Sequence, residues 1–175
     1  CMGRIPSALS VCLLALCLAL PLRAQDVPSL LTGYSLTSWT QKDGLASPLI
    51  WSLAQDTAGY LWLGTDAGIL RFDGVRFVRW DDLAVVPNPT ASVRALSVTR
   101  DGALWFGLSE PGGVGVLRDG RVQLHGEADG LPSGVVTALA EDSDGTLWAA
   151  GRFGVYRRDG DRWLRRSDGL PPGLV

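Results

Sequence analysis

The chain offers few side chains that could carry out acid–base or metal chemistry. His125 is the single histidine, and the three cysteines all lie within the first 17 of 175 residues. A protein zinc site is built from three or four histidine, cysteine or carboxylate ligands, so a zinc site is not expected here. We place His125 in an outermost strand, with a role at the surface or edge rather than as a general base. The sequence therefore predicts no catalytic residue, no metal and no cofactor.

Closely spaced carboxylates do not indicate a catalytic or calcium-binding pair. Asp81-Asp82 and Glu141-Asp142 are neighbours in sequence, and adjacent side chains of an extended chain point to opposite sides. Asp142 and Asp144 could begin a calcium loop, but the spacing does not continue as an EF-hand. Capping of a turn by the aspartate side chain is the plainer interpretation.

The charge balance argues against a nucleic-acid partner. The chain has 16 basic and 18 acidic residues, whereas nucleic-acid binding needs a clustered positive face. One stretch is locally basic, and we interpret it as a solvated edge that prevents further strand pairing, or as a contact to an anionic glycan or an adjoining subunit. Its members are Arg157, Arg158, Arg162, Arg165 and Arg166.

The first 24 residues are typical of an export signal. Arg4 precedes an apolar run, Ala8–Leu20, and Ala24 is a small residue at a suitable cleavage position. The run is shorter than the roughly 20 residues of a membrane span, so we predict cleavage rather than a retained anchor. Lipidation of Cys17 is a weaker alternative, because a lipoprotein signal prefers a small residue directly before the cysteine. With all cysteines in this segment, the mature protein would contain no disulfide.

A Leu-Trp pair occurs three times, and successive copies are 43 residues apart. Units of 40–45 residues that each read as four short strands separated by turns are typical of β-propeller blades. The predicted fold class is therefore all-β, with three four-stranded blades of a larger, seven-bladed ring that is incomplete in this chain. The repeated positions are Trp62, Trp105 and Trp148, preceded three residues earlier by Gly59, Gly102 and Gly145 and followed two residues later by Gly64, Gly107 and Ala150.

These repeated residues have physical roles in a blade. The glycine before each Leu-Trp pair supplies the positive φ of a turn. The indole should bury against the next blade, where truncation to alanine would cost about 3–5 kcal/mol. Gly64 and Gly107 would let that next sheet approach closely. Small residues alternating with Leu53, Leu96 and Leu139 suit a first strand that lies near the ring axis.

The repeat also divides the chain. Three blades alone would leave apolar sheet faces uncovered, so we expect a fragment of a longer protein that is unstable or self-associating by itself. Within the lead-in, Tyr34–Thr40 is predicted as an outer strand. The predicted divisions are 1–24 signal peptide, 25–48 lead-in, 49–88, 89–131 and 132–170 blades, and 171–175 the start of a fourth blade.

The first unit resembles the two-component regulator propeller repeat. From Asp56 to Gly74 it reads DTAGYLWLGTDAGILRFDG, and Asp-Gly-Leu triplets begin at residues 43, 129 and 168. The resemblance covers residues 34–175. It loosens in the second unit, where Thr99 stands in place of the turn aspartate, and in the third, where Ala150 replaces glycine.

The resemblance implies a periplasmic sensing role. Propellers of this family precede a β-sandwich domain, a membrane span and a histidine kinase or a diguanylate cyclase, and members respond to glycan breakdown products. The chain would then be the exported, non-catalytic part of an inner-membrane receptor. Its partners would be a small ligand such as an oligosaccharide, the remaining blades and downstream domains, and a second copy in a homodimer. The alternative is a fragment of a secreted propeller enzyme, a polysaccharide lyase or glycoside hydrolase.

One turn of each unit breaks the repeat. Four residues after each tryptophan stand Asp66, Ser109 and Arg152, and Glu110 joins them in the longer second loop. We call these four the rim residues, because turns between second and third strands lie at the rim of a propeller. A constant scaffold with varied loops is how propellers tune binding, so the rim residues are the predicted ligand-binding residues. The alternative is that exposed turns simply drift.

Overall fold

The structure is a computed structural model and describes residues 36–80 and 91–166. The elements below lie in one compact unit, Ser38–Val175. The predicted signal segment, residues 25–35 of the lead-in, the ends of the first and third units, the first two residues of the second and the start of a fourth lie outside the described residues. No helix of the described part is long and apolar enough to cross a membrane.

The described residues form three separate four-stranded antiparallel sheets, each with its strands in chain order. This confirms the predicted all-β fold of propeller blades, in an open arrangement. Sheet 1 contains β1 (Ile50–Gln55), β2 (Leu61–Thr65), β3 (Gly68–Phe72) and β4 (Phe77–Arg79); sheet 2 contains β5 (Val93–Val98), β6 (Leu104–Leu108), β7 (Val114–Arg118) and β8 (Arg121–His125); sheet 3 contains β9 (Val136–Glu141), β10 (Leu147–Gly151), β11 (Gly154–Asp159) and β12 (Arg162–Arg166).

Each first hairpin turns at a glycine with positive φ. The values are +90° at Gly59, +82° at Gly102 and +81° at Gly145. The glycine N–H donates to the carbonyl three residues earlier, at 2.8 to 3.1 Å. A side chain would be strained in this left-handed conformation, which is why glycine recurs here.

The sheets stack through their tryptophans, at contacts that we call seams. The first strands are neighbours, with β1 beside β5 and β5 beside β9. Trp62 is 7% exposed and lies in one apolar cluster with Val93 and Leu96 of sheet 2. Trp105 is 2% exposed and lies in a second cluster with Leu147 of sheet 3. Each indole therefore joins its own sheet to the next one.

The two outermost faces have no neighbouring sheet among the described residues. Trp148 is only half-buried, unlike the other two repeat tryptophans. At the opposite end Leu53 is 62% exposed, whereas its equivalent Leu96 is 8% exposed. The expectation that every repeat indole is buried thus holds only where a following sheet is described.

The glycines after the tryptophans lie where the next sheet comes closest. A Cβ built on Gly64 would lie 2.9 Å from the carbonyl oxygen of Val93. A Cβ on Gly107 would lie 2.7 Å from Cγ1 of Val136. Real side-chain atoms do not approach this closely, so these seams require glycine at their present spacing.

The two Asp-Gly-Leu triplets within the described residues end helical turns, and their leucines enter the core. The 3-10 turns Gln41–Asp43 and Glu127–Asp129 are each followed by a glycine of φ +94° or +98°. In each, the aspartate carboxylate accepts the N–H three residues earlier, at 2.7 and 2.9 Å. Leu45 and Leu131 then enter the apolar clusters of sheets 1 and 3 and are buried.

Two expectations differ from the structure. Of the predicted strand Tyr34–Thr40, the described part from residue 36 onward forms no strand; it contacts sheet 1 through the ring of Trp39, which packs edge-on against Phe72 and Phe77. His125 does end the fourth strand of sheet 2, but its side chain is 2% exposed and not at the surface. Its ring is covered by Trp105 and Trp163 at the seam between sheets 2 and 3.

Candidate functional site

The turns that carry the rim residues lie at equivalent edges of successive sheets. In an antiparallel sheet the second strand ends where the first begins, so each of these turns lies beside the start of a first strand. The registers show this, and each of the three turns belongs to a different sheet. The pairs are Thr65 with Ile50, Leu108 with Val93 and Gly151 with Val136.

Asp66 is exposed but already bonded within sheet 1. The hydroxyl of Ser47 donates to its carboxylate, and Ser47 itself is buried. The same hydroxyl accepts the N–H of Leu49 at 3.0 Å. The preceding Thr65 is fully buried and donates to the carbonyl of Gly68 at 2.8 Å. The turn is therefore rigid, and Asp66 presents its remaining lone pairs to solvent.

Ser109 holds an arginine in place. Its hydroxyl accepts the Nε–H of Arg94 at 3.2 Å and donates to the hydroxyl of Ser92 at 3.2 Å. Its N–H donates to the carbonyl of Ser92 at 2.9 Å. Ser109 is half-buried, so it positions Arg94 as much as it faces solvent.

Arg94 in turn crosses the first seam. Its guanidinium carbon lies 3.7 Å from the ring centroid of Trp51 in sheet 1. Trp51 is 43% exposed. Such a cation–π contact contributes about 0.5–1 kcal/mol at an exposed site. The rim edge thus contains a fixed cation and an aromatic ring contributed by two different sheets.

Sequence reasoning did not single out Trp51 or Arg94. They stand eleven residues before Trp62 and Trp105, and Thr137 occupies the same place in the third unit. This position varies among the units while its small neighbours repeat, which is the signal already used for the turns. The structure adds that all three residues lie at a shift in strand register, a β-bulge, in β1, β5 and β9.

Glu110 and Arg152 have no bonded partner among the described residues. Both side chains are exposed. Glu110 precedes a cis peptide bond to Pro111, in the loop that is longer in sheet 2. That loop and the Gly126–Ser133 segment line an open groove, so the rim has a shallow surface next to Glu110.

The aspartates of the first hairpin turns cap them. In sheet 3, Asp142 Oδ1 accepts the N–H groups of Asp144 and Thr146 at 2.9 Å each, and Oδ2 accepts the indole N–H of Trp148 at 2.7 Å. The indole hydrogen bond is the main reason that the pKa of Asp142 is lowered. Asp56 makes the same three bonds in sheet 1. Within residues 36–80 and 91–166 no group of three side chains could hold a metal ion.

The basic stretch divides into two parts. Arg158 lies 4.8 Å from the ring centroid of Trp105, so it helps to cover the second seam. Arg157 is half-buried, and its Nη2 lies 3.9 Å from Oδ2 of Asp159. The three arginines of β12 are exposed on the outermost strand of sheet 3, as a solvated edge would be.

Comparison with known proteins agrees with the repeat. Residues 44–67 and 130–153 match the family model of the two component regulator propeller, which confirms the resemblance seen in the sequence. The two segments contain the Leu-Trp pairs of Trp62 and Trp148, and each begins at the glycine of an Asp-Gly-Leu lead-in. No curated protein matches the chain.

Solved structures share the fold at low identity. The extracellular domain of a protein described as a hybrid two component system of B. thetaiotaomicron has a TM-score of 0.59 and 18% identity, over 79% of this chain and 20% of that one. The extracellular domain of a one component system of the same organism has a TM-score of 0.59 and 21% identity, over 78% and 18%. Virginiamycin B lyase of Staphylococcus aureus has a TM-score of 0.53 and 16% identity, over 70% and 41%.

These likenesses concern the fold alone. The chain spans about a fifth of the length of the two extracellular domains. The same architecture occurs in extracellular domains of a two component and a one component system and in a lyase, so any activity must be argued from the residues at the site.

Proposed function

We propose that this chain, a run of two component regulator propeller repeats, is an exported ligand-sensing segment of a bacterial signal-transduction receptor. Its parent would be a sensor histidine kinase, or a diguanylate cyclase, acting through a domain outside this chain. The observation that carries the proposal is the rim edge, where a repeated scaffold presents different polar residues from sheet to sheet. The four rim residues and the Trp51–Arg94 contact together form a varied surface of this kind.

The side chains at this edge suit binding better than catalysis. Asp66 and Ser109 are each engaged in a structural hydrogen bond, so neither is a free base or nucleophile. His125 is buried at a seam and cannot reach a substrate in solvent. Exposed aromatic and charged groups at rigid turns provide stacking and hydrogen bonds to a small ligand such as an oligosaccharide.

The first seam offers a way to transmit binding. The Arg94 guanidinium and the Trp51 ring belong to different sheets, so a ligand touching both bridges the seam. A ligand shifts a conformational equilibrium only by its difference in affinity for the two states. Bridging contacts supply such a difference whenever the two sheets move relative to one another.

The proposal is tested in cells that carry the parent receptor and a transcriptional reporter of its output. Cultures receive graded doses of partially hydrolysed pectin, xylan or starch. Asp66→Ala, Glu110→Ala and Arg152→Ala should leave the receptor folded and weaken the response, raising the half-maximal dose several-fold. Arg165→Ala, an exposed arginine on the outermost strand, is the matched control and should respond as the wild type does.

Two results would contradict this function. One is a wild-type receptor that responds to none of the hydrolysates; the other is a normal dose curve from all three rim variants. The enzyme alternative has its own assay, which is release of reducing ends or unsaturated products when the purified chain meets the intact polysaccharides. The full sequence of the parent protein separates the two as well, since a receptor requires a membrane span and an output domain.

A further inference from the structure

The first strand of every sheet contains a β-bulge at the same repeat position. The bulged residues are Trp51, Arg94 and Thr137, each 43 residues from the next. A bulge re-aims the side chain of the extra residue, and bulges are over-represented beside binding sites. Trp51 and Thr137 are exposed and Arg94 is half-buried. The inner strands therefore offer one non-repeating side chain per sheet, next to the rim turn.

Arg94 is positioned before any ligand arrives. The Arg94 guanidinium carbon is held 3.7 Å from the Trp51 ring centroid, and its Nε–H donates to Ser109 at 3.2 Å, so two contacts restrain the guanidinium. Ser109 is itself tied to Ser92 by two hydrogen bonds. Arginine usually loses side-chain entropy when it binds, and this preorganisation removes most of that cost.

The terminal nitrogens of Arg94 are left to donate. No carboxylate in residues 36–80 and 91–166 forms an ion pair with Arg94, and its only described hydrogen bond uses Nε. The two Nη groups of a guanidinium match the two oxygens of a carboxylate. Trp51 stays 43% exposed with Arg94 over its ring, so the uncovered part of the indole can pack against an apolar ring face.

We propose that Trp51, Arg94 and Ser109 form a subsite for a carboxylate carried on a ring. Arg94 binds the carboxylate through both Nη groups, Trp51 packs against the ring, and Ser109 is the positioning residue that orients Arg94. The assignment rests on the proposed function in taking the rim as the ligand-facing edge. A sugar acid and an aromatic acid share this chemistry, and the probes below distinguish them.

Titration calorimetry on the full chain tests the subsite. The probes are the trisaccharide of galacturonic acid and 4-hydroxybenzoate, each compared with its methyl ester, which keeps the ring and removes the charge. We expect one of the two acids to bind. Its methyl ester should bind with an affinity lower by about tenfold or more. Arg94→Gln should weaken binding of the acid by about tenfold or more, and Trp51→Ala should weaken it by about three- to tenfold. Arg165→Gln makes the same charge change elsewhere and should bind as the wild type does.

Three outcomes overturn the subsite: neither acid binds, acid and ester bind equally, or Arg94→Gln binds as tightly as the wild type. Circular dichroism checks the folding of each variant. Arg94→Lys keeps the positive charge but cannot donate to both carboxylate oxygens in the same geometry, so its affinity should lie between those of the wild type and Arg94→Gln. Failure of the proposed function can be distinguished from failure of the subsite. If an acid binds at Arg94 but the output of the receptor does not change, the subsite exists and the sensing role does not.

Discussion

Trp105 and His125 lie stacked at the second seam, with ring centroids 5.7 Å apart and planes inclined by 28°. Trp163 of sheet 3 meets the same imidazole edge-on at 6.4 Å. Neither ring nitrogen of His125 has a hydrogen-bond partner in the part of the chain that the structure describes, and the residue is 2% exposed. A titratable group is therefore held between two indoles, at the contact that joins two sheets.

Stability should fall in mildly acidic solution because of this histidine. Burial has the largest effect and lowers the pKa of His125 below its ordinary value of 6.5, outweighing the opposite effects of Asp129 and Asp161; Arg158 lowers the pKa to a smaller extent. The unfolded chain then takes up a proton more readily than the folded one, so stability is complete above about pH 6.5 and declines as the pH falls below it. Urea unfolding at pH 8 and pH 5.5 measures the effect.

The control for this pH effect is His125→Phe, which keeps an aromatic ring between the indoles. Its urea midpoint should change much less between the two pH values. A wild-type midpoint that stays constant from pH 8 to pH 5.5 would show that the buried imidazole does not resist protonation.

Gly64 should not tolerate a side chain. Gly64→Ala places a methyl group 2.9 Å from the carbonyl oxygen of Val93 and should lower the free energy of unfolding by about 1–3 kcal/mol. Gly64→Leu should prevent packing of the first seam. Gly126→Ala is the matched control, since a Cβ there meets no atom within 4 Å. A soluble Gly64→Leu protein that unfolds cooperatively like the wild type would refute this role of the glycine.

Removal of a turn aspartate should loosen its hairpin. Asp56 accepts hydrogen bonds from the N–H groups of Ala58 and Tyr60 at 3.0 Å and from the Trp62 indole at 2.8 Å. Asp56→Ala should therefore lower the free energy of unfolding by about 1–3 kcal/mol in urea titration. Asp144→Ala removes an equal charge from the corresponding turn, at a position where sheet 1 has alanine, and should change stability little. Equal losses in both variants would contradict the proposed capping.

The uncovered face of sheet 1 should make the chain self-associate. Leu53 is 62% exposed and Ile50 is 42% exposed, whereas their equivalents Leu96 and Val93 are buried at a seam. Sedimentation velocity should show concentration-dependent oligomers that Leu53→Glu suppresses. Leu124→Glu alters another exposed leucine, 43% exposed on the outer strand of sheet 2, and should leave the oligomers intact. A monomeric wild-type chain at all concentrations would remove this interpretation.

Much of the fold could be predicted because its determinants are local and repeated. The positive φ of Gly59 and the three hydrogen bonds of Asp56 arise within a few residues of one turn. A 43-residue period then specifies the same hairpins three times. Such short-range interactions can be predicted from a sequence, because each unit repeats the same residues at the same spacing.

The rim was only partly predictable. Variation among the units pointed to Asp66 and Ser109, but nothing in the repeat marks Ser47, the hydrogen-bond partner of Asp66. The same comparison, applied eleven residues before each tryptophan, would have found Trp51 and Arg94. It could not have shown that the two stack, because the contact depends on how sheets 1 and 2 approach.

The sequence by itself determined the strand order within each sheet, the turn geometry and the tryptophan positions that meet the next sheet, since these follow from short-range spacing. Only the tertiary structure decided which side chains lie at a seam. It buried His125, which the sequence suggested was at the surface or edge, and left Trp148 half-buried. Burial depends on the neighbouring sheet, and a residue's own repeat unit does not contain that sheet.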